Sequence, residues 1–212
     1  MSFRPTALVI VALFQCVVAT GLVEAQRQKY KIGGGAGFAN LKHPDLDLGS
    51  TAVIGGFFGF RFNDNLSLET NFSFVRSNRV FAETGIPVDN VPDQPAFRFQ
   101  TNRYHLDEVF VLNIGRRQPF HPFVYGGGGV IRRDEKRTDF TFERDPDTGQ
   151  SNLVSQEVTL NRSEYEPAGL AGAGVEFYFM YNVAARAEFR VWFPQSPDKR
   201  DRMFFFAASY FF

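Results

Sequence analysis

Apolar and polar residues alternate with a period of two along much of this chain. The pattern is clearest over 183–193, where every residue of one face is apolar and the opposite face carries Arg186, Glu188 and Arg190. A period of two with one apolar face is typical of a β-strand that is buried on one side. The same alternation predicts further strands over 52–62, 66–76, 170–179 and the last ten residues.

Two further strands, at 29–39 and 98–114, follow from the same pattern with one irregularity. In the second of them, Leu106 and Phe110 share a face with Glu108. A charged side chain on a face that contacts hydrocarbon is costly. We therefore expect a bulge or a register change near Asp107 and Glu108.

An eighth strand is predicted over 122–132, where a run of glycines interrupts the alternation. Gly126 to Gly129 carry no side chain, so the sequence does not show which of the flanking residues face outward. We interpret Phe123, Tyr125 and Ile131 as outward-facing.

The predicted strands are about ten to twelve residues long, enough for a tilted strand to cross a hydrocarbon layer. Their connections alternate in length. The connections at 63–65 and 180–182 are short, whereas others are long and rich in Pro, Asp, Lys and Arg. This arrangement indicates an all-β fold, an eight-stranded antiparallel up-and-down transmembrane β-barrel with both termini on the short-turn side. We expect the third long loop to be a hairpin that extends the barrel wall.

Residues 1–25 have the features of a secretory signal peptide. Arg4 precedes an apolar stretch, Ala7 to Val18, and small or modest side chains before and at Ala25 favour cleavage there. The stretch is too short to span a membrane as a helix. The predicted domain organisation is therefore a signal peptide at 1–25 and a barrel domain at 26–212, without a cysteine after Cys16.

Charge and composition narrow the function classes. The chain has 23 Lys and Arg and 23 Asp and Glu. A net charge of zero argues against a nucleic-acid-binding protein held by bulk electrostatics. It also has 26 Phe against one Trp, which suits a protein whose strands face lipid.

The barrel model assigns the charged residues of the strands to the interior. In hydrocarbon every backbone N–H and C=O needs a partner within the protein, which a closed barrel provides. An eight-stranded barrel is only wide enough for its own side chains. We expect the inward charges to form an ion-pair network that plugs the lumen: Arg61, Glu69, Glu176, Arg186, Glu188 and Arg190.

Motifs that suggest other chemistry have simpler explanations. The glycines at 33–37 lack the lysine of a phosphate loop, and Asp145 to Gly149 lacks most ligands of a calcium loop and suits a hairpin tip. His105 and Asp107 are the only histidine–acid pair with suggestive spacing, and we expect both to face the lumen. We expect a structural hydrogen-bonded pair, no enzymatic activity, no metal and no cofactor.

Four segments carry a resemblance to a known family: FFGFRFNDNLSLE, PFVYGGGGV, LAGAGVEFYFMYNVAARAEFRVWF and the terminal FFFAASYFF. Together they resemble the small eight-stranded outer-membrane β-barrel family of the OmpA and OmpX type, over nearly all of the predicted barrel domain. The resemblance implies location in the bacterial outer membrane, contact with outer-membrane lipids, and recognition by the barrel-assembly machinery. Tyr210 and Phe212 match the family's C-terminal assembly signal, whereas Ala207 stands where a glycine is common.

Three functions are compatible with the predicted β-barrel. The first is a structural or surface-interaction barrel with an unidentified extracellular partner. The second is a narrow channel or transporter, if the lumen charges leave a continuous water path. The third is a secreted soluble barrel that binds an apolar ligand in the manner of lipocalins, which requires the phenylalanines inside and Arg186, Glu188 and Arg190 in water.

Overall fold

The computed structural model describes residues 29–82, 87–88, 96–114, 120–144, 151–180, 182–196 and 199–212. The predicted signal peptide and its cleavage site at Ala25 lie outside these ranges, as does the predicted hairpin tip at 145–149. Across the described ranges, no helix is long and apolar enough to cross a membrane.

Eight long antiparallel strands of the described chain form the wall of a closed barrel, which confirms the predicted fold class. Each pairs with the next along the chain, and the last pairs with the first, Ile32 opposite Tyr210. Within the described ranges, a two-residue strand, Pro87–Val88, pairs with the third. The eight are β1 (Tyr30–Lys42), β2 (Asp47–Arg61), β3 (Leu66–Ala82), β4 (Ala96–Asn113), β5 (Phe120–Arg144), β6 (Ser151–Met180), β7 (Val183–Pro194) and β8 (Arg202–Phe211).

Both ends of the described chain meet at one end of the barrel. The N–H of Tyr30 donates to the carbonyl of Phe212 over 3.0 Å, and the N–H of Phe212 donates back over 3.0 Å. The short β2–β3 turn lies at this end, where Asn63 Oδ1 accepts hydrogen bonds from the N–H groups of Asn65 and Leu66. We call it the turn end and the opposite end the loop end.

The outer face of the barrel is apolar, as the alternation predicts. On β7 the apolar set from Val183 to Phe193 faces outward and the charged set is buried. On β8 the outward side chains of Phe204 and Phe206 are each 58% exposed. The outward faces predicted for 52–62, 66–76, 170–179 and the last ten residues are also confirmed.

Aromatic side chains cluster on the outer face towards each end of this apolar band. At the turn end Tyr30 packs against the rings of Phe58, Phe60 and Phe212. Towards the loop end the rings of Phe74 and Tyr104 lie 5.0 Å apart. Paired aromatic girdles are a feature of barrels that span a bilayer.

The predicted outward orientation of Phe123, Tyr125 and Ile131 is wrong. All three are buried inside the barrel, because the alternation of β5 passes through the glycine run without a shift of register. Tyr125 lies opposite Gly172 and Phe123 opposite Gly174, and a Cβ at either glycine would meet the ring beside it. The glycines therefore make room for the two rings in the lumen. The outward set is Val124, Gly126, Gly128 and Val130.

The bulge expected near Asp107 and Glu108 is also absent from the described strands. Glu108 pairs in regular register with Thr70 on one side and Gly128 on the other, and it stays on the outer face. The Thr70 hydroxyl donates to Glu108 Oε1 over 2.6 Å. A hydrogen bond from the neighbouring strand lowers the cost of the carboxyl group on this face, so the backbone keeps its register.

Two strands extend well beyond the rest of the wall at the loop end. β5 and β6 remain paired as far as Arg144 opposite Ser151. The neighbouring strands stop pairing earlier. β4 pairs with β5 as far as Ala96–Phe140, and β7 pairs with β6 as far as Ala168–Pro194. The predicted extension of the third long loop as a hairpin is confirmed.

The two environments of the outer surface predict different costs for the same substitution. Phe206 in the apolar band and Val154 on the hairpin are both 58% exposed. We expect Phe206→Arg to reduce the free energy of unfolding in lipid vesicles by about 2–4 kcal/mol, because arginine then faces hydrocarbon. Val154→Arg should change it by less than about 0.5 kcal/mol, as for a surface position in water. Urea titration of barrels in vesicles measures both values, and equal costs would contradict the assignment of the band to lipid.

Candidate functional site

The turn-end half of the lumen contains a chain of ion pairs centred on Arg186. Its guanidinium contacts Glu69 Oε2 at 2.8 Å through Nη1 and Glu188 Oε2 at 2.6 Å through Nη2. Nη1 also lies 3.5 Å from Glu176 Oε1. Beyond Glu188, Arg190 Nε donates to Glu188 Oε1 over 2.7 Å. Strands β3, β6 and β7 are thus connected across the lumen by buried charges.

Lys31 and Arg61 complete the network at the turn end. Lys31 Nζ lies 2.5 Å from Glu69 Oε1 and 2.8 Å from Glu176 Oε1. Arg61 joins indirectly, since its Nη2 donates to the Tyr178 hydroxyl, which donates to Glu176 Oε2. Five of the six predicted lumen residues therefore lie in one chain of direct pairs, and Arg61 is attached to it through Tyr178.

Aromatic rings fill the space around these charges. The Arg186 guanidinium lies 4.3 Å from the ring centre of Phe123 and 4.8 Å from that of Phe57. Arg190 lies over Phe205 and Arg61 over Phe211. Cations packed on aromatic faces are stabilised by the ring quadrupole, most of all where water is excluded.

The charges of this network nearly cancel. Lys31, Arg61, Arg186 and Arg190 face Glu69, Glu176 and Glu188, and Asn71 Oδ1 accepts a hydrogen bond from Arg190 over 3.2 Å. Burying a charge is costly unless it is paired and hydrogen-bonded. The dense pairing is what makes a charged interior compatible with a lumen of this width.

A second cluster occupies the lumen near the loop end. Arg103 forms an ion pair with Asp201, and its Nη2 donates to the carbonyl of Lys42 over 2.9 Å. Trp192 Nε1 donates to Asp107 Oδ1 over 3.1 Å. Asp201 lies in the β7–β8 loop and Lys42 ends β1, so Arg103 connects its own strand to that loop and to the end of β1 at the mouth of the barrel.

The β7–β8 loop is held over the mouth by a further arginine. Arg133 pairs with Glu166, whose Oε1 accepts the N–H of Ser196 over 3.0 Å. Arg133 Nη2 also donates to the carbonyl of Lys199 over 3.5 Å. Arg103 and Arg133 are opposite each other on β4 and β5, so two adjacent inward arginines fix this loop.

Asp201 is ionised in this position. Burial raises the pKa of its carboxyl group, but Arg103 and His105 lower it further, so that it falls from 3.8 to about 2. The Arg103–Asp201 pair therefore persists in mildly acidic solution. Its contribution to stability is present above pH 4 and is lost only as the pH falls towards 2.

His105 has partners other than the predicted Asp107. Its Nδ1 lies 3.3 Å from Ser73 Oγ, and its Nε2 lies 3.6 Å from Asp201 Oδ2. The hydrogen bond expected between His105 and Asp107 is not formed, because Asp107 accepts from Trp192 instead. Ser73, His105 and Asp201 are the residue types of a hydrolytic triad, but all three are at most 1% exposed, which leaves a substrate no access to the Ser73 hydroxyl.

The C-terminal strand places Tyr210 and Phe212 on the outer face. They are 47% and 52% exposed, and their rings lie 6.2 Å apart. Phe211 between them points inward against Arg61. A role of the outward pair as an assembly signal stays a prediction.

No metal centre is evident in the part of the chain that the structure describes, where no three or more His, Cys, Asp or Glu residues are grouped to hold an ion.

Comparison with known sequences identifies the family. The family model described as "Outer membrane protein beta-barrel domain" matches residues 6–195. The chain belongs to this family. It is therefore a bacterial outer-membrane protein, and in such barrels the short turns are periplasmic and the long loops extracellular. No curated protein matches the sequence.

Solved structures of outer-membrane barrels resemble the fold. Ail, the attachment invasion locus protein of Yersinia pestis, has a TM-score of 0.53 at 16% identity, covering 88% of this chain and 100% of Ail. Ail in complex with the heparin analogue sucrose octasulfate has a TM-score of 0.51 at 17% identity, with the same coverage. The N-terminal β-barrel domain of Pseudomonas aeruginosa OprF has a TM-score of 0.46 at 17% identity, covering 88% and 100%.

Sequence reasoning missed several charges of this outer-membrane barrel's lumen. The alternation could have predicted that Lys31 faces inward, because it lies between the outward Tyr30 and Ile32. Arg103 and Arg133 lie on the inward phase of β4 and β5, above the predicted network. Asp201 belongs to a loop, where alternation carries no information.

Removing the central arginine of the network should be costly. In Arg186→Met the carboxylates of Glu69 and Glu188 each lose one of their two cationic partners in the lumen, and only Lys31 and Arg190 remain to pair with them. Breaking a buried ion pair by removing one partner typically costs about 3–5 kcal/mol. We expect a loss of that size in the free energy of unfolding, measured by urea titration in vesicles.

The control is Arg137→Met on the hairpin. Arg137 pairs with Asp139 at 2.7 Å, but its side chain is 43% exposed. An exposed pair contributes at most about 1 kcal/mol. A loss for Arg186→Met no greater than that for Arg137→Met would show that the lumen network does not stabilise the barrel.

Proposed function

We propose that this protein is a non-conducting, non-enzymatic surface barrel whose extracellular hairpin is its interaction surface. The observation that carries the proposal is the unpaired edge of β6. Among the described residues, 153–164 of this strand pair with β5 alone, because β7 begins to pair with β6 at Ala168.

The free edge has the properties of a binding surface. An unpaired strand edge presents a row of backbone N–H and C=O groups to which another extended chain can hydrogen-bond. Leu153, Val154 and Val158 on this strand are each about half exposed. Exposed apolar side chains beside free backbone groups favour contact with another macromolecule.

The rigid support of the hairpin favours the same function. It is continuous with β5 and β6 of the membrane wall, so its position is fixed by the barrel below. Arg137 also packs against the Phe97 ring of β4 at 3.9 Å. A pre-ordered surface loses less conformational entropy on binding than a flexible loop does.

The side chains inside the barrel support a role outside solute transport. Paired charges and aromatic rings occupy the turn-end half, and the Arg103 and Arg133 clusters hold a loop over the mouth. The orientation of the faces also argues against the lipocalin-like alternative, since Phe204 and Phe206 point outward and Arg186, Glu188 and Arg190 point inward.

The structural neighbour Ail illustrates such a role on the same fold. It is named for attachment and invasion, and it has been crystallised with a heparin analogue. Those properties belong to Ail, and here they support only the general proposal that this fold serves surface interaction.

Shortening the hairpin tests the proposal. Residues 138–159 are replaced by Asn-Gly between Arg137 and Leu160, which face each other in β5 and β6 and so suit a two-residue turn. Bacteria that display the intact protein should adhere to a host-cell or matrix layer above the vector background, and the shortened protein should lower adhesion to that background. Heat-modifiable migration verifies that the shortened barrel folds. Equal adhesion by both proteins would overturn the proposal.

Single-channel conductance tests whether the side chains of the lumen block the passage of ions. In planar bilayers at neutral pH we expect no stable conductance steps from the intact barrel, because an eight-stranded barrel is only wide enough for its own side chains. The combined substitution Arg186→Ala and Glu188→Ala removes a paired cation and carboxylate, and should produce small steps. Stable, large steps from the unchanged protein would favour the channel function instead.

A further inference from the structure

The outer face carries one polar pair within its apolar band. On β4 the side chains of Leu106 and Phe110 face outward, and Glu108 lies between them on the same face. On β3 the outward residue opposite Glu108 is Thr70. Across the described strands, the other outward residues between the two aromatic girdles are apolar or glycine. The pair therefore distinguishes one side of the barrel from the others.

Glu108 lies at the depth of the acyl chains. It is four residues from Tyr104 of the loop-end girdle. A strand rises about 3.3 Å per residue and is tilted in the membrane, so the carboxyl group is roughly 10 Å below that girdle. A polar group in hydrocarbon is costly unless it is hydrogen-bonded. The Thr70 hydroxyl supplies one bond over 2.6 Å, and a carboxyl group can form more than one.

Large side chains and glycines lie on opposite sides of this pair. Phe72 of β3 and Phe110 of β4 are each about half exposed. The next strand, β5, places Gly126 opposite Phe110 and Gly128 opposite Glu108. The wall thus has an apolar ridge on β3 and β4 beside a flat strip on β5. We call this surface the Glu108 wall; it consists of Thr70, Phe72, Leu106, Glu108, Phe110, Gly126 and Gly128.

The packing of the barrel itself does not require a glycine at 126. A Cβ on Gly126 would lie 3.8 Å from the carbonyl oxygen of Leu170, which is an ordinary contact distance. At the inward Gly127, by contrast, a Cβ would overlap the carbonyl oxygen of Glu108. Glycine weakens a strand, and it often marks a place where another backbone approaches closely.

Small residues alone do not single out the Glu108 wall. On the opposite side of the barrel, Gly34 of β1 and Ala208 of β8 are also small and face outward. The outward residues of the band on that side are apolar or glycine. The carboxyl and hydroxyl groups are what the Glu108 wall adds, and they require a partner that can hydrogen-bond within hydrocarbon.

A second copy of this chain fits that requirement. The membrane holds every copy in the same orientation and at the same depth, so a two-fold axis along the membrane normal brings Glu108 of both copies to one level. With the axis between β4 and β5, the ridge of each copy faces the glycines of the other. In its neutral form a carboxyl group both donates and accepts, so two such groups can bond to each other.

We propose that the Glu108 wall is a homodimer interface within the outer membrane, in which the Glu108 carboxyl groups of two copies hydrogen-bond across the axis. The glycines allow the close approach that this contact needs, as small residues do between other membrane-spanning segments. The inference goes beyond the surface interaction of the hairpin and does not depend on it.

Association in lipid vesicles tests the proposal. Barrels labelled with donor or acceptor fluorophores at Thr159→Cys on the hairpin are mixed in phosphatidylcholine vesicles at a series of protein-to-lipid ratios, and energy transfer gives the association constant. Glu108→Leu should lower this constant at least about fivefold, the loss expected for a hydrogen bond between membrane segments. Glu108→Gln should stay within about threefold, because an amide also donates and accepts.

Two leucine variants on opposite walls provide the matched comparison. The side chain of Gly126→Leu has room on its own barrel but holds two walls apart, so it should lower the association constant at least about tenfold. Ala208→Leu enlarges an exposed residue of β8 and should leave the constant within about twofold. Equal effects of the two variants, no effect of Glu108→Leu, or energy transfer that an excess of unlabelled barrel does not reduce would each overturn the proposal.

Oxidative cross-linking locates the interface. In vesicles, the single cysteine of Leu106→Cys should form a disulfide-linked dimer, whereas that of Phe206→Cys on the far wall should not. Both positions face outward, so equal cross-linking would indicate chance collision and contradict the assigned wall. Heat-modifiable migration shows that every variant compared is folded.

Discussion

Closure of the sheet is the constraint on which the rest of this structure depends. In hydrocarbon an unpaired backbone group is too costly to leave exposed, and the pairing of β1 with β8 removes the open edges within the membrane. Closure with eight strands fixes a narrow interior, which side chains must fill. The outer face must then be apolar, so the charges of the strands can lie only in the lumen or beyond the membrane.

The lumen shows how a charged interior becomes stable under this constraint. Arg186 contacts carboxylates from β3, β6 and β7, and aromatic rings from β2 and β5 pack against it. The glycines Gly172 and Gly174 leave the space that the rings of Tyr125 and Phe123 occupy. Above this network, Arg103 and Arg133 use their charge to hold a loop over the mouth. The same wall continues outside the membrane as the hairpin, where the closure constraint no longer applies.

Alternation predicted most of the fold because a strand with one apolar face has an apolar residue at every second position of the sequence. It predicted which face of β2, β3, β6, β7 and β8 contacts lipid, and it grouped Glu69, Glu176, Arg186, Glu188 and Arg190. It failed in β5, where Gly126 to Gly129 lack the side chains that show the phase. The bulge at Glu108 was wrong because Thr70 supplies a hydrogen bond that sequence spacing does not reveal. The contact of the loop residue Asp201 with Arg103 could not be predicted, because alternation gives no information about loops.

The orientation of the two strand faces is the central claim, and spin labels on β8 test it most directly. Single cysteines at 203 to 207 can each be labelled, since the sequence holds no cysteine beyond Cys16. In lipid vesicles the labels at 204 and 206 should be broadened by oxygen dissolved in the bilayer, and the label at 205 should be shielded from it. Oxygen access at 205, with protection at 204 and 206, would place the phenylalanines inside the barrel and contradict the account.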